Sequence, residues 1–125
     1  ISPAEQLFRT RCSSCHSIGA DSTLSENTVS ENYGGINLAL GPDLFDVTSR
    51  RDRRWLLRWI AQPDRMLAEG DPLALSLYEQ YQRIAMPNLS LNTQEVESLL
   101  SFIESESRRI KHQRRLQQAR TVAEE

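Results

Sequence analysis

Cys12-Ser13-Ser14-Cys15-His16 holds both cysteines and one of the two histidines of a 125-residue chain. Two thiols two residues apart, followed at once by an imidazole, form the C-x-x-C-H pattern of covalent haem attachment. One helical turn sets both thiols to make thioethers with the two vinyl groups on one side of a porphyrin. The adjoining imidazole then falls under the iron as its proximal ligand. Three other chemistries use similar residues. A redox dithiol sits beside a strand-helix-strand unit, and the β-branched alternation of such strands is missing. A structural zinc site wants four ligands at short spacing, and the remaining candidate, His112, is remote and isolated. A disulfide across two intervening residues closes a strained loop that removes little unfolded-state entropy.

A haem that carries electrons needs two further groups. A metal-bound imidazole needs an acceptor for its second nitrogen, and in Gly41-Pro42-Asp43-Leu44 the carbonyl of Pro42 is the candidate, set against the plainer reading of a Gly-Pro-Asp turn. A thioether is the usual sixth ligand, and the methionines are Met66 and Met86. Met86 stands in Ala85-Met86-Pro87-Asn88-Leu89, where proline keeps the chain irregular and free to cross the far face of a ring. Met66, between Pro63 and Gly70, reads as packing.

The elements that position these groups are helical. Ser2-Pro3-Ala4-Glu5 is a capping box with proline at the first helical position, opening a helix that carries Phe8 one turn before Cys12. Residues 19–40, rich in Ser, Asn, Asp, Glu and Gly, read as a long surface loop. Trp55, Leu56, Trp59 and Ile60 recur at helical spacing, with Arg50, Arg51, Arg53, Arg54 and Arg58 largely on the other side. That helix stops near Gln62, before Pro63. The arginines form either a solvated face or a surface for docking or for pairing haem propionates. The indoles belong to the core, and a buried indole N–H wants an acceptor, which a propionate would supply. Asp71-Pro72 opens a further helix reaching about Ile84. Asn92-Thr93-Gln94-Glu95 is a second capping box, leading to a buried stripe of Val96, Leu99, Leu100, Phe102 and Ile103. Beyond Glu106 the stripe decays among arginines into a charged helical extension or linker.

Composition bounds the rest. Hydrophobic residues make up 38% of the chain, which is low for a globular domain, and a buried haem face would relieve that deficit. A net charge of −2 gives no bulk argument for nucleic acid or membrane. No stretch has the length and apolarity of a transmembrane helix. The start at Ile1 fits a removed signal peptide or a cut from a longer polypeptide.

With these pieces assembled, residues 2–105 resemble a class I cytochrome c, the small all-helical monohaem family. The family's amino-terminal aromatic matches Phe8, packing on the carboxy-terminal helix, and its haem motif matches Cys12, Cys15 and His16. Its Gly-Pro-x-Leu segment matches Gly41, Pro42 and Leu44, with the proline carbonyl accepting from the proximal histidine. A propionate-side arginine of the mitochondrial branch matches Arg50, and the methionine loop matches Met86-Pro87. The Arg-Trp-Leu helix, the Pro63 to Pro72 run and the Met-Pro-Asn-Leu loop are also similar to cytochrome domains fused to copper chaperones of the cytochrome-oxidase assembly type. The chain has no chaperone cysteine pair of its own.

The resemblance implies an all-α domain at residues 1–106, four to five helices around one covalent haem c, followed by a charged helical extension at 107–125. It implies a haem held by Cys12, Cys15, His16, Pro42, Leu44, Arg50 and Met86, with His16 and Met86 on the iron, and the indole N–H argument adds Trp59 to the haem-binding set. The expected function is one-electron transfer between redox partner proteins in a respiratory or periplasmic chain, outside the cytoplasm, and not enzymatic turnover. The rival reading is a haem sensor with a labile sixth ligand, regulating an attached domain.

Overall fold

The computed structural model describes residues 2–19 and 40–124, so most of the surface loop read at 19–40 lies outside the described residues. Those residues contain six helices and no strand. They are α1 (Pro3–Arg11), α2 (Val47–Arg50), α3 (Arg53–Ala61), α4 (Pro63–Ala68), α5 (Pro72–Gln80) and α6 (Thr93–Glu124). The count exceeds four to five because of α2 and α4, both too short to show a hydrophobic period.

The starts follow the sequence closely. Ser2 Oγ accepts from the Glu5 N–H at 3.1 Å, and Asp52 and Asp71 cap α3 and α5 through the N–H groups of Trp55 and Ala74. At α6 the capping box is reciprocal: Glu95 N–H donates to Asn92 Oδ1 at 2.8 Å while Asn92 N–H donates to Glu95 Oε1 at 2.9 Å. These caps satisfy amides that the first helical turn leaves without partners.

One end departs from expectation. The α5 pattern pointed to about Ile84, but the helix stops at Gln80 because Gln82 and Arg83 adopt left-handed backbone, φ 62° and 58°. Non-glycine residues rarely hold that conformation, and here it turns the chain into the segment that carries Met86.

The core is a wall built on α6. Leu99, Leu100 and Ile103 are buried against Phe8 of α1, Val47 of α2 and Leu56 of α3. The rings of Phe8 and Phe102 lie 5.7 Å apart and tilted by 46°, an arrangement that favours ring edge against ring face. Arg53 pairs with Glu104 across α3 and α6.

Beyond Glu106, α6 continues unbroken, and its next two turns touch the body. Ser107 is 3% exposed, and its Oγ accepts from the Asp46 N–H at 2.9 Å. Lys111 Nζ reaches Asp46 Oδ1 at 2.8 Å, and the Arg114 guanidinium lies 4.5 Å over the Phe45 ring. Gly19 holds φ +68°, a conformation that side chains strain, and a Cβ there would stand 2.8 Å from Ile110 Cδ1, which would have to shift. From Arg115 to Glu124 every residue is exposed.

Two measurements test this frame. Phe8→Ala removes a ring that is 7% exposed and should cost about 3–5 kcal/mol in chemical denaturation. The Asp46, Asp64 and Asp71 carboxyls are held below their ordinary range, chiefly by hydrogen bonds from Lys111, Asn88 and Trp55 respectively. Depressed native values mean that the unfolded state takes up protons first. Their contribution is full above the unfolded value of about 3.9 and is lost as pH falls through the native values. Thermal melts followed by circular dichroism should therefore be flat down to about pH 5 and drop below about pH 4.

Candidate functional site: a haem cavity

The end of α1 delivers the two thiols and the imidazole. Cys12 N–H still donates to Phe8 O, while His16 N–H and Cys15 N–H both donate back to Cys12 O, at 2.9 and 3.1 Å. The motif is thus one tight turn continuing the helix. Cys12 and Cys15 are not joined in a disulfide. Burial pushes the Cys12 thiol above its ordinary range, unlike the lowered values of redox dithiols.

His16 Nδ1 lies 2.8 Å from Pro42 O. A carbonyl only accepts, so Nδ1 carries the proton and Nε2 is left with its lone pair for a metal. Burial lowers the tendency of His16 to protonate, against the opposing pulls of the Pro42 carbonyl and the Asp43 charge, and a ligand imidazole must be neutral. Gly41 permits the approach. A Cβ at that position would stand 2.6 Å from His16 Cε1 and 2.9 Å from Nδ1, so the turn reading understates what glycine does there.

Two adjoining cavities open on this face, with volumes of about 770 and 760 Å³ including space open to solvent. Cys12, His16, Pro42, Trp59 and Met86 line both, Cys15 lines the first, and Leu44 and Arg50 line the second. All eight residues singled out in the sequence therefore meet at the cavity walls. Met66 lines neither cavity and is 1% exposed, packed in the protein interior. His112 lies on the exposed part of α6 and lines neither.

The polar rim divides into fixed and open donors. Trp55 and Trp59 stack with centroids 5.4 Å apart. Trp55 Nε1–H donates to Asp71 Oδ2 at 2.9 Å, whereas the Trp59 N–H has no partner among the described residues. Arg50 donates to the backbone oxygens of Phe45 at 2.9 Å and Asp43 at 3.3 Å, which holds its guanidinium at the cavity edge. Arg51, next in sequence and half-buried, also lines the second cavity. In the sequence Arg51 is one of a run of arginines, with nothing to set it apart.

The Met86 segment is fastened from two sides. Asn88 Nδ2–H donates to Asp64 Oδ1 at 3.0 Å, and Arg11 Nη2–H to Leu89 O at 3.1 Å. These contacts draw on α4 and α1, and no local pattern announces them.

The donor set and the walls fit a covalently held haem: two thiols, one imidazole with Nε2 free, an apolar slot and a lining indole, Trp59, whose N–H has no partner among the described residues. Among the described residues no three His, Cys, Asp or Glu side chains gather to hold a metal ion directly, so a structural zinc site has no donor set. Gly41→Ala should push the His16 ring off Pro42. Loss of the slowly exchanging His16 Nδ1–H signal in proton NMR, with the helical circular dichroism retained, is the expected result.

The comparisons agree with this geometry. The cytochrome c family model matches residues 1–107. The chain is similar to the cytochrome c domain of a protein from Pseudomonas putida, with 48% identity over 86% of this chain and 91% of that one and a TM-score of 0.68. It shares the fold of a cytochrome c from Rhodothermus marinus, at 23% identity, 85% and 75% coverage and a TM-score of 0.65. No curated protein matches it significantly. The helical frame and cysteine turn therefore belong to the cytochrome c family, and the chain is an electron-transfer domain carrying one haem c through Cys12 and Cys15.

Proposed function

We propose that this domain is a one-electron shuttle whose haem iron would be held by His16 and Met86. The observation that carries the reading is that Met86 shares both cavities with His16, while Met66 is sealed in the interior. When bound, the haem supplies an Fe(II)/Fe(III) couple, and a saturated His/Met sphere suits electron transfer with little reorganisation. One electron enters from a donor protein and the same electron leaves to an acceptor protein, so no substrate bond is made or broken and no enzymatic turnover is needed.

The residues divide the remaining work. Pro42 O fixes the His16 tautomer and ring orientation. Leu44, Leu99, Leu100 and Ile103 line the second cavity with apolar surface, which would keep water from a bound haem. Trp59 and Arg50 offer N–H donors for the propionates at the rim. On this reading residues 1–106 form the haem domain, and residues 107–125 a charged helical extension whose first turns pack against Phe45 and Asp46. Redox partners in a respiratory or periplasmic chain fit the family's typical extracytoplasmic setting, and no helix among the described residues is long and apolar enough to cross a membrane.

The decisive test substitutes each methionine in the haem-loaded protein. Met86→Ala should abolish the weak sulfur-to-iron charge-transfer band of the oxidised form, lower the potential and open the reduced iron to carbon monoxide, while Met66→Ala leaves the band in place. Survival of the band in Met86→Ala with its loss in Met66→Ala would overturn the ligand assignment, and rapid tight carbon monoxide binding by the reduced wild type would favour a sensor.

A further inference from the structure

We infer that Asp43 is a positioning residue for the proximal histidine, its carboxylate locking the His16 segment to the Pro42 turn and setting the reduction potential through its charge. The inference rests on the haem reading above. Asp43 follows Pro42 directly, and its side chain turns back to the other segment. Oδ2 accepts from Ser17 Oγ–H at 2.8 Å, and Oδ1 accepts from the N–H groups of Gly19 at 3.0 Å and Phe45 at 2.8 Å. Ser17 O in turn accepts from Leu44 N–H at 2.8 Å. The residues flanking His16 and Pro42 are thereby tied together beside the bond between them.

Two effects of the carboxylate share a sign. A negative charge near the imidazole strengthens the Nδ1–H bond to Pro42 and the basicity of Nε2. The same charge favours the more positive oxidised iron. Asp46 supplies the comparison. It braces the same corner, but its carboxylate accepts from Ser49 and Lys111, and neither partner belongs to the His16 segment. Losing it loosens the corner without removing the charge beside His16.

The experiment measures midpoint potentials of the mature haem protein, with covalent haem verified first by pyridine haemochrome. Asp43→Asn keeps the shape and removes the charge, and should shift the reduction equilibrium toward the ferrous form by about three- to tenfold, tenfold being about 59 mV for one electron. Ser17→Ala withdraws a donor from the carboxylate and leaves its charge less compensated, so the shift should be opposite in sign. Asp46→Asn should lower the melting temperature and leave the potential within about twofold. Merely structural loosening would move Asp43→Asn and Ser17→Ala in the same direction. That result, or no shift in Asp43→Asn with haem attached, overturns the proposal and leaves the haem reading intact. If Asp43→Asn does not mature, Ser17→Ala decides: a lowered potential supports the inference and an unchanged or raised one overturns it. Absence of covalent haem in the wild type would overturn the underlying reading instead.

Discussion

The hydrogen bond from His16 Nδ1–H to Pro42 O joins segments 26 residues apart, and the rest of the site depends on it. It requires a residue before the proline with no side chain, a proximal turn that projects the imidazole sideways, and a corner that holds the carbonyl still. Gly41, the Cys12–His16 turn and the residues from Asp43 to Asp46 meet these three requirements. With Nδ1 committed, Nε2 is the one ring nitrogen left to meet an iron.

The corner is held from behind by α6. Asp46 occupies left-handed backbone at φ 58°, a conformation that costs about 1–3 kcal/mol outside glycine and persists where surroundings over-determine it. Ser107 and Lys111 provide that determination, one through the backbone N–H of Asp46 and the other through its carboxylate. The first turns past Glu106 are thus part of the proximal support, whatever the exposed remainder does.

What was legible in the sequence is the chemistry with fixed spacing. The cysteine turn, the N-cap at Ser2, the capping box at Asn92 and the proline carbonyl each follow from a few adjacent residues. What stayed hidden is long-range. Asp43 reads as a turn residue until its carboxylate is seen to span two segments, and Gly41 reads as a turn glycine until the imidazole is found against it. The polar stretch after Glu106 has little apolar period, yet Ser107, Ile110, Lys111 and Arg114 find partners through a hydroxyl, a glycine-sized gap, an ion pair and an aromatic face. None of those contacts leaves a hydrophobic signature. The short helices α2 and α4 escaped for a related reason, since fewer than two turns cannot display a period.

The contact between Phe8 and Phe102 has a consequence for how such a domain comes into being. Its two rings come from near opposite ends of the chain, so the central packing closes a loop of about ninety residues at an entropic cost of about 4 kcal/mol. Local helices form quickly but have nothing to bury against until that loop shuts. The wall lined by Leu99, Leu100 and Ile103 belongs to α6, while the thiols follow directly on α1. On a growing chain, therefore, the attachment cysteines emerge long before the pocket around them exists.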